Sequence, residues 1–118
     1  MSRELGDIYE QRLLKYLLDS GWQLLAEKYI GGGGEIDLIV IRNKELCFIE
    51  VKGRQEGVFA EESIFSAMSK KKQRLLIACS EDFLEQYEDT ISFEECYFVL
   101  GGYIGETLYW IENPFDGE

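Results

Sequence analysis

The stretch Glu35-Ile36-Asp37-Leu38-Ile39-Val40-Ile41-Arg42-Asn43-Lys44-Glu45-Leu46-Cys47-Phe48-Ile49-Glu50-Val51-Lys52 decides how this chain folds. Two apolar runs, Glu35–Arg42 and Glu45–Lys52, flank Asn43-Lys44 and read as the strands of a hairpin. If the turn has two residues, Arg42 faces Glu45, Asp37 faces Glu50 and Glu35 faces Lys52. Side chains alternate along a strand, so those four polar groups emerge on one face. A three-residue loop shifts the register by one and sends Asp37 and Glu50 to opposite faces.

Outward from the hairpin, residues 3–20 read as a helix, with Ser2 as N-cap and Gly21 as stop. Its apolar positions Leu5, Tyr9, Leu13 and Leu17, with Ile8, Leu14 and Leu18, recur at helical spacing. Trp22 to Ile30 reads as a strand, closed by the glycine run Gly31–Gly34. Beyond a polar loop, Ser69 caps a helix reaching to about Tyr87, with Leu76, Cys79, Phe83 and Tyr87 on one face. Cys96–Leu100, a Gly101-Gly102 turn and Thr107–Ile111 supply the last two strands. The order α-β-β-β-α-β-β predicts an α/β (α+β) fold, a mixed sheet with helices packed on it, in one domain spanning 1–118.

With 118 residues, 46% hydrophobic and 30% charged, the chain has the composition of a soluble single-core protein. No apolar run approaches the roughly 20 residues of a membrane span. No signal segment opens the chain, so a cytoplasmic location without membrane contact is expected. The absence of histidine excludes Ser-His-Asp triads, HExxH zinc sites and imidazole bases. Cys47, Cys79 and Cys96 have no CxxC spacing and read as small core residues among apolar neighbours. The net charge of −11 is unevenly spread. Residues 40–76 carry 8 basic and 5 acidic side chains, whereas 77–118 carry 11 acidic and no basic ones. Net charge opposes tight non-specific nucleic-acid binding, while the basic middle offers a local surface for phosphate.

Two carboxylates on facing strand positions repel each other, and a divalent cation offsets that repulsion. Hard ions such as Mg²⁺ or Mn²⁺ take carboxylate oxygens, keep several waters and suit phosphate substrates. Lys52 shares the face, where it can hold an attacking water or neutralise a transition state. The plainer alternative is a solvated strand face on which Lys52 pairs with Glu35. Glu10 falls inside the apolar stripe of the first helix, where a carboxylate is costly unless a donor or metal meets it. Its plainer alternative is an edge position reaching solvent or a lysine. Lys70, Lys71, Lys72 and Arg74, with Arg54 near the hairpin end, are the candidates for phosphate contact; their alternative is a solvated helix start.

These residues carry a resemblance. Gly6-x-x-Tyr9-Glu10, Gly34-Glu35-Ile36-Asp37-Leu38-Ile39, Phe48-Ile49-Glu50-Val51-Lys52-x-Arg54, Lys72-Gln73 and Trp110-Ile111-Glu112-Asn113-Pro114-Phe115 are similar to the YraN-like family. Its members are predicted endonucleases of the PD-(D/E)XK, or restriction-endonuclease-like, superfamily, distant kin of Holliday-junction resolvases. The resemblance implies a mixed sheet flanked by helices and Mg²⁺- or Mn²⁺-dependent hydrolysis of DNA, branched or structured DNA above all. It implies metal ligation by Asp37, Glu50, Val51 and Glu10, an active-site lysine at Lys52, and a polar residue, Gln73, facing the site from the later helix. The chain departs from the family pattern at Ile36, at Gly53 and at Cys96-Tyr97-Phe98, where Arg-Phe-Asp is usual. The rival expectation is a non-catalytic protein of the same fold that binds another protein through its acidic last third. Nucleic acid is the expected partner of the first reading, and a homodimer is compatible with it.

Overall fold

Asn43 and Lys44 both adopt left-handed backbone, with φ of 51° and 66°. That is the geometry of a two-residue type I′ turn, whose twist matches the strands it joins. The register follows: Arg42 pairs with Glu45, and the ladder continues rung by rung to Leu38 opposite Ile49. The structure, a computed structural model, describes residues 3–55, 57 and 68–115, with the side chains of 3–5 left aside. The expected cap at Ser2 and most of the expected polar loop lie outside the described residues.

Among the described residues the elements are α1 (Arg3–Asp19), β1 (Gln23–Gly31), β2 (Gly34–Arg42), β3 (Glu45–Arg54), α2 (Lys70–Tyr87), β4 (Glu95–Ile104) and β5 (Thr107–Glu112), with a 3₁₀ turn at Glu88–Thr90. The sheet runs in the order β1-β2-β3-β4-β5. Among the described strands only the β3–β4 pair is parallel, so the sheet is mixed. The parallel pair needs a crossover, and α2 supplies it. The α-β-β-β-α-β-β fold is therefore the one expected from sequence.

Both helix boundaries have local causes. Gly21, at φ 91°, closes α1: its N–H donates to Leu18 O, and Trp22 N–H donates to Leu17 O. This Schellman pairing satisfies carbonyls that the helix end leaves free. Ser69 caps α2, its side chain accepting from Lys72 N at 3.1 Å. That bond sets the phase of the first turn.

The sheet buries both faces. On one, α1 lays Tyr9, Leu13, Leu14 and Leu17 against Leu38, Val40, Cys47, Ile49 and Val99. On the other, α2 lays Leu76, Cys79 and Phe83 against Ile36, Ile39, Leu46 and Phe48. Ile8 and Leu18, expected in the α1 stripe, are exposed, because they lie to either side of the line that meets the sheet. Cys47 and Cys79 are buried as expected, but Cys96 is exposed at the start of β4.

The expected turn at Gly101-Gly102 is absent. Both residues lie inside β4, which continues to Ile104, and the turn falls at Gly105-Glu106. A side chain at Gly102 would place its Cβ 1.9 Å from the Lys52 carbonyl oxygen. Glycine is required here by the close approach of β3, not by chain reversal. Likewise, a Cβ at Gly32 would lie 2.6 Å from the Ala78 backbone, so the glycine hairpin seats directly on α2.

Candidate metal and phosphate site

The β2–β3 ladder stops at Leu38 and Ile49, and the next positions on each strand are Asp37 and Glu50. Beyond that rung a carboxylate takes over from the backbone, as Val51 N donates to Asp37 Oδ2 at 2.8 Å. Asp37 and Glu50 thus converge where the two strands stop pairing. They open into a cavity of about 310 Å³ lined by Gly6, Asp7, Glu10, Lys28, Glu35, Asp37, Glu50, Val51, Lys52 and Lys72. Five elements meet there: α1, β1, β2, β3 and the first turn of α2.

The electrostatics follow from burial. Glu50 is 4% exposed and Glu10 also 4%. Desolvation, with the Glu50 carboxyl alongside, pushes the Asp37 pKa up to about 8. Val51 N–H and Lys72 act in the opposite direction without cancelling the rise. Lys72 Nζ lies 2.6 Å from Glu50 Oε2. Burial disfavours the Lys72 charge, but Glu50, Asp37 and Glu35 together outweigh this, and the lysine pKa is raised. The repulsion expected between the facing carboxylates is therefore relieved by proton uptake and by an ammonium.

Glu10 reaches the cavity from the buried face of α1. Its Oε2 accepts from Lys28 Nζ at 2.5 Å, and Asp7 Oδ1 accepts from the same ammonium at 3.1 Å. Burial raises the Glu10 pKa despite that lysine, and its Oε1 has no hydrogen-bond partner among the described residues. Lys28 lies between the rungs Glu27–Leu38 and Tyr29–Ile36, across from Asp37, and its backbone is left-handed, φ 49°, an uncommon conformation for a non-glycine residue inside a strand.

The sequence-predicted residues divide as follows. Asp37, Glu50, Val51, Lys52 and Glu10 share the cavity. Glu35 also lines it, but it pairs with Ile30 of β1, and among the described residues no ion pair joins it to Lys52. The Lys52 carbonyl accepts from Tyr109 OH at 2.6 Å, which anchors its backbone to β5. Gln73 is buried one residue beyond Lys72, but it is not among the cavity residues; its Nε2 donates to Met68 O at 2.9 Å. Lys70, Lys71 and Arg74 are exposed on the first turns of α2, beside the cavity mouth. Arg54 ends β3, its Nη1 donating to Gly53 O at 2.8 Å.

Lys28 was not among the residues expected from sequence, and Lys72 was expected to contact phosphate, whereas its ammonium lies against Glu50 inside the cavity. Lys28 had a signal in the glycine run: a two-residue turn at Gly32-Gly33 pairs Gly31 with Gly34 and sets Lys28 across from Asp37. For Lys72 a signal existed: the Ser69 cap fixes which of three successive lysines turns toward the sheet.

No three of the carboxylate and cysteine side chains among the described residues form a ready-made metal cluster. The donor set is the pair Asp37 and Glu50, with Glu10 set back on Lys28. One or two carboxylates with waters and substrate phosphate suit Mg²⁺, which seldom relies on an all-protein cage. The pair therefore fits the ion that the sequence pattern suggested. Among the described residues, no helix is long and apolar enough to cross a membrane.

Known proteins resemble the chain along nearly its full length. It is 36% identical over 116 residues to a UPF0102 protein of Psychromonas ingrahamii, covering 97% of this chain and 91% of that one. A UPF0102 protein of Acinetobacter baumannii is 32% identical over 133 residues, covering 98% of this chain and 96% of its own. One from Fusobacterium nucleatum is 30% identical over 119 residues, covering 99% and 95%. Residues 9–99 match the family model itself, a span from Tyr9 through the whole hairpin to Val99 of β4. The chain belongs to the uncharacterised protein family UPF0102.

Proposed function

We propose that this protein is a metal-dependent endonuclease of the PD-(D/E)XK kind, hydrolysing phosphodiester bonds in DNA, with branched or structured DNA as the favoured substrate. The observation that carries the reading is the convergence of Asp37 and Glu50 at the end of the β2–β3 ladder, in a cavity that also holds Lys52. Asp37 and Glu50 would hold Mg²⁺ or Mn²⁺. The Val51 carbonyl would join them, since a strand residue directs its N–H and C=O to the same neighbour, and Val51 N–H already points to Asp37. When bound, such an ion lowers the pKa of an attacking water and stabilises charge on the phosphate oxygens.

The chain's own groups do the rest. Lys52, half-buried at the cavity wall, donates to the attacking water or to a phosphate oxygen as charge develops. Glu10, with one oxygen unpartnered, accepts a hydrogen bond from water at the back of the site. Lys70, Lys71 and Arg74 at the mouth, and Arg54 at the end of β3, carry the phosphates that flank the reacting one.

The test is incubation of the purified protein with Mg²⁺ or Mn²⁺ and four-way junctions, flaps, duplex DNA, single strands or RNA. Cleavage lost in Asp37→Asn and Lys52→Ala supports the reading. Absence of divalent-dependent cleavage on every substrate, with no Mn²⁺ bound, defeats it. One observation favours the other reading, a non-catalytic protein-binding module. Residues 77–118 carry 11 acidic and no basic side chains, a surface better suited to a basic protein than to DNA.

A further inference from the structure

Glu50 has a cation already. Lys72 Nζ sits 2.6 Å from its Oε2, on the carboxylate that the metal reading needs. Of the three lysines that begin α2, Lys72 alone lines the cavity. Its place is set by the Ser69 cap, which accepts from Lys72 N itself. The two partners differ in freedom. Glu50 is 4% exposed and lies on the central strand, paired through Leu100 to β4, so it has little room to turn away. The Lys72 side chain is 36% exposed, on a flexible four-carbon stem beside the cavity mouth. A divalent ion on the same carboxylate would sit about 2.0–2.1 Å from its oxygen. Two cations that close repel strongly in a partly desolvated site.

We propose that Lys72 is a placeholder cation: its ammonium occupies the position on Glu50 that a divalent ion takes, and the ion binds by displacing it. This rests on the metal reading above and adds to it a residue that weakens metal loading. Lys72 keeps the buried carboxylates neutralised while no metal is bound. Lys28 stands in the same relation to Glu10, but Asp7 shares its charge, and Glu10 is not one of the facing pair.

The experiment is a Mn²⁺ titration of the full chain at low ionic strength, with free Mn²⁺ counted by electron paramagnetic resonance. Four proteins are compared: wild type, Lys72→Gln, Lys71→Gln and Asp37→Asn. Lys72→Gln should bind on the order of 10-fold more tightly than wild type, the size expected when a like charge within a few ångströms is removed. Lys71→Gln removes the same charge outside the cavity and should change affinity by less than about 2-fold. A Lys72→Gln affinity no greater than that of wild type or of Lys71→Gln overturns the proposal. If Asp37→Asn abolishes Mn²⁺ binding while Lys72→Gln leaves it unchanged, this inference fails and the metal reading survives. If neither wild type nor Lys72→Gln binds Mn²⁺, both fail. Should Lys72→Gln not fold, Lys72→Arg decides. Its guanidinium grips a carboxylate with two N–H groups and should weaken Mn²⁺ binding below wild type; tighter binding would overturn the proposal.

Discussion

Val51 donates its backbone N–H to Asp37 Oδ2 at 2.8 Å, Val51 lying two residues and Asp37 one residue beyond the last rung of the β2–β3 ladder. A side chain thus completes a bond that a strand carbonyl would otherwise make. The same carboxylate makes a structural bond and lines the cavity, so a fold contact and the proposed metal site share one residue.

Asp37→Asn separates the two. Asparagine keeps an oxygen for Val51 N–H and sits beside Glu50 uncharged at every pH, without the proton that Asp37 must take up there. Without metal, its stability should lie within about 1 kcal/mol of wild type, on the favourable side. Mn²⁺ at one hundred times its Kd should add about 2.7 kcal/mol to wild type and nothing to the variant. Thermal melts with and without Mn²⁺ read both. A metal-dependent rise that persists in Asp37→Asn would remove Asp37 from the ligand set.

The raised Asp37 pKa has a pH signature. In the unfolded chain the group titrates near 3.8, in the fold near 8. Between these values the folded state holds a proton that the unfolded state has lost, so stability is greatest below the lower value and falls as pH rises to about 8. Glu10, also raised, acts in the same direction. Chemical denaturation of the metal-free protein at a series of pH values between 5 and 9 should show the decline. In Asp37→Asn it should be much shallower; an equal slope would mean other groups are responsible.

Lys52→Ala tests catalysis against folding. Among the described residues the Lys52 side chain makes no ion pair, and its contact to Tyr109 uses the backbone carbonyl, which alanine retains. Stability should therefore change by no more than about 0.5 kcal/mol. Loss of a charge aimed at the transition state should cost on the order of 10²-fold or more in cleavage rate. A rate near wild type would assign Lys52 to the solvated wall.

Gly102→Ala tests the reading of β4. The new Cβ would meet the Lys52 carbonyl oxygen at 1.9 Å, from a backbone at φ 149°. Backbone cannot give way as a flexible side chain can, so β3 and β4 must part. Destabilisation on the order of 3 kcal/mol or more is expected by urea denaturation. Because Lys52 lies at the contact, any folded fraction should also show impaired cleavage.

The β2–β3 hairpin was legible in adjacent residues alone. Turn type, alternation and register are properties of adjacent residues, so a two-residue turn at Asn43-Lys44 aligns the strands as far as Leu38 and Ile49 and brings Asp37 and Glu50 to the next position. The helix boundaries at Gly21 and Ser69 were legible for the same reason, and Glu10 stood out because a carboxylate had no cause to lie on an apolar stripe. Tertiary structure alone decided the rest. Lys72 meets Glu50 because the crossover seats α2 on the sheet and the cap sets its phase, across 22 positions of sequence. Lys28 meets Asp7 and Glu10 because α1 packs across the sheet, 21 and 18 positions away in sequence. Gly101-Gly102 has the composition of a turn, and only the parallel approach of β3, about 50 residues earlier, makes it the middle of a strand. Local signals fix what a segment can do; which distant charge or backbone it meets is set by packing, where the energies of many weak contacts are settled together.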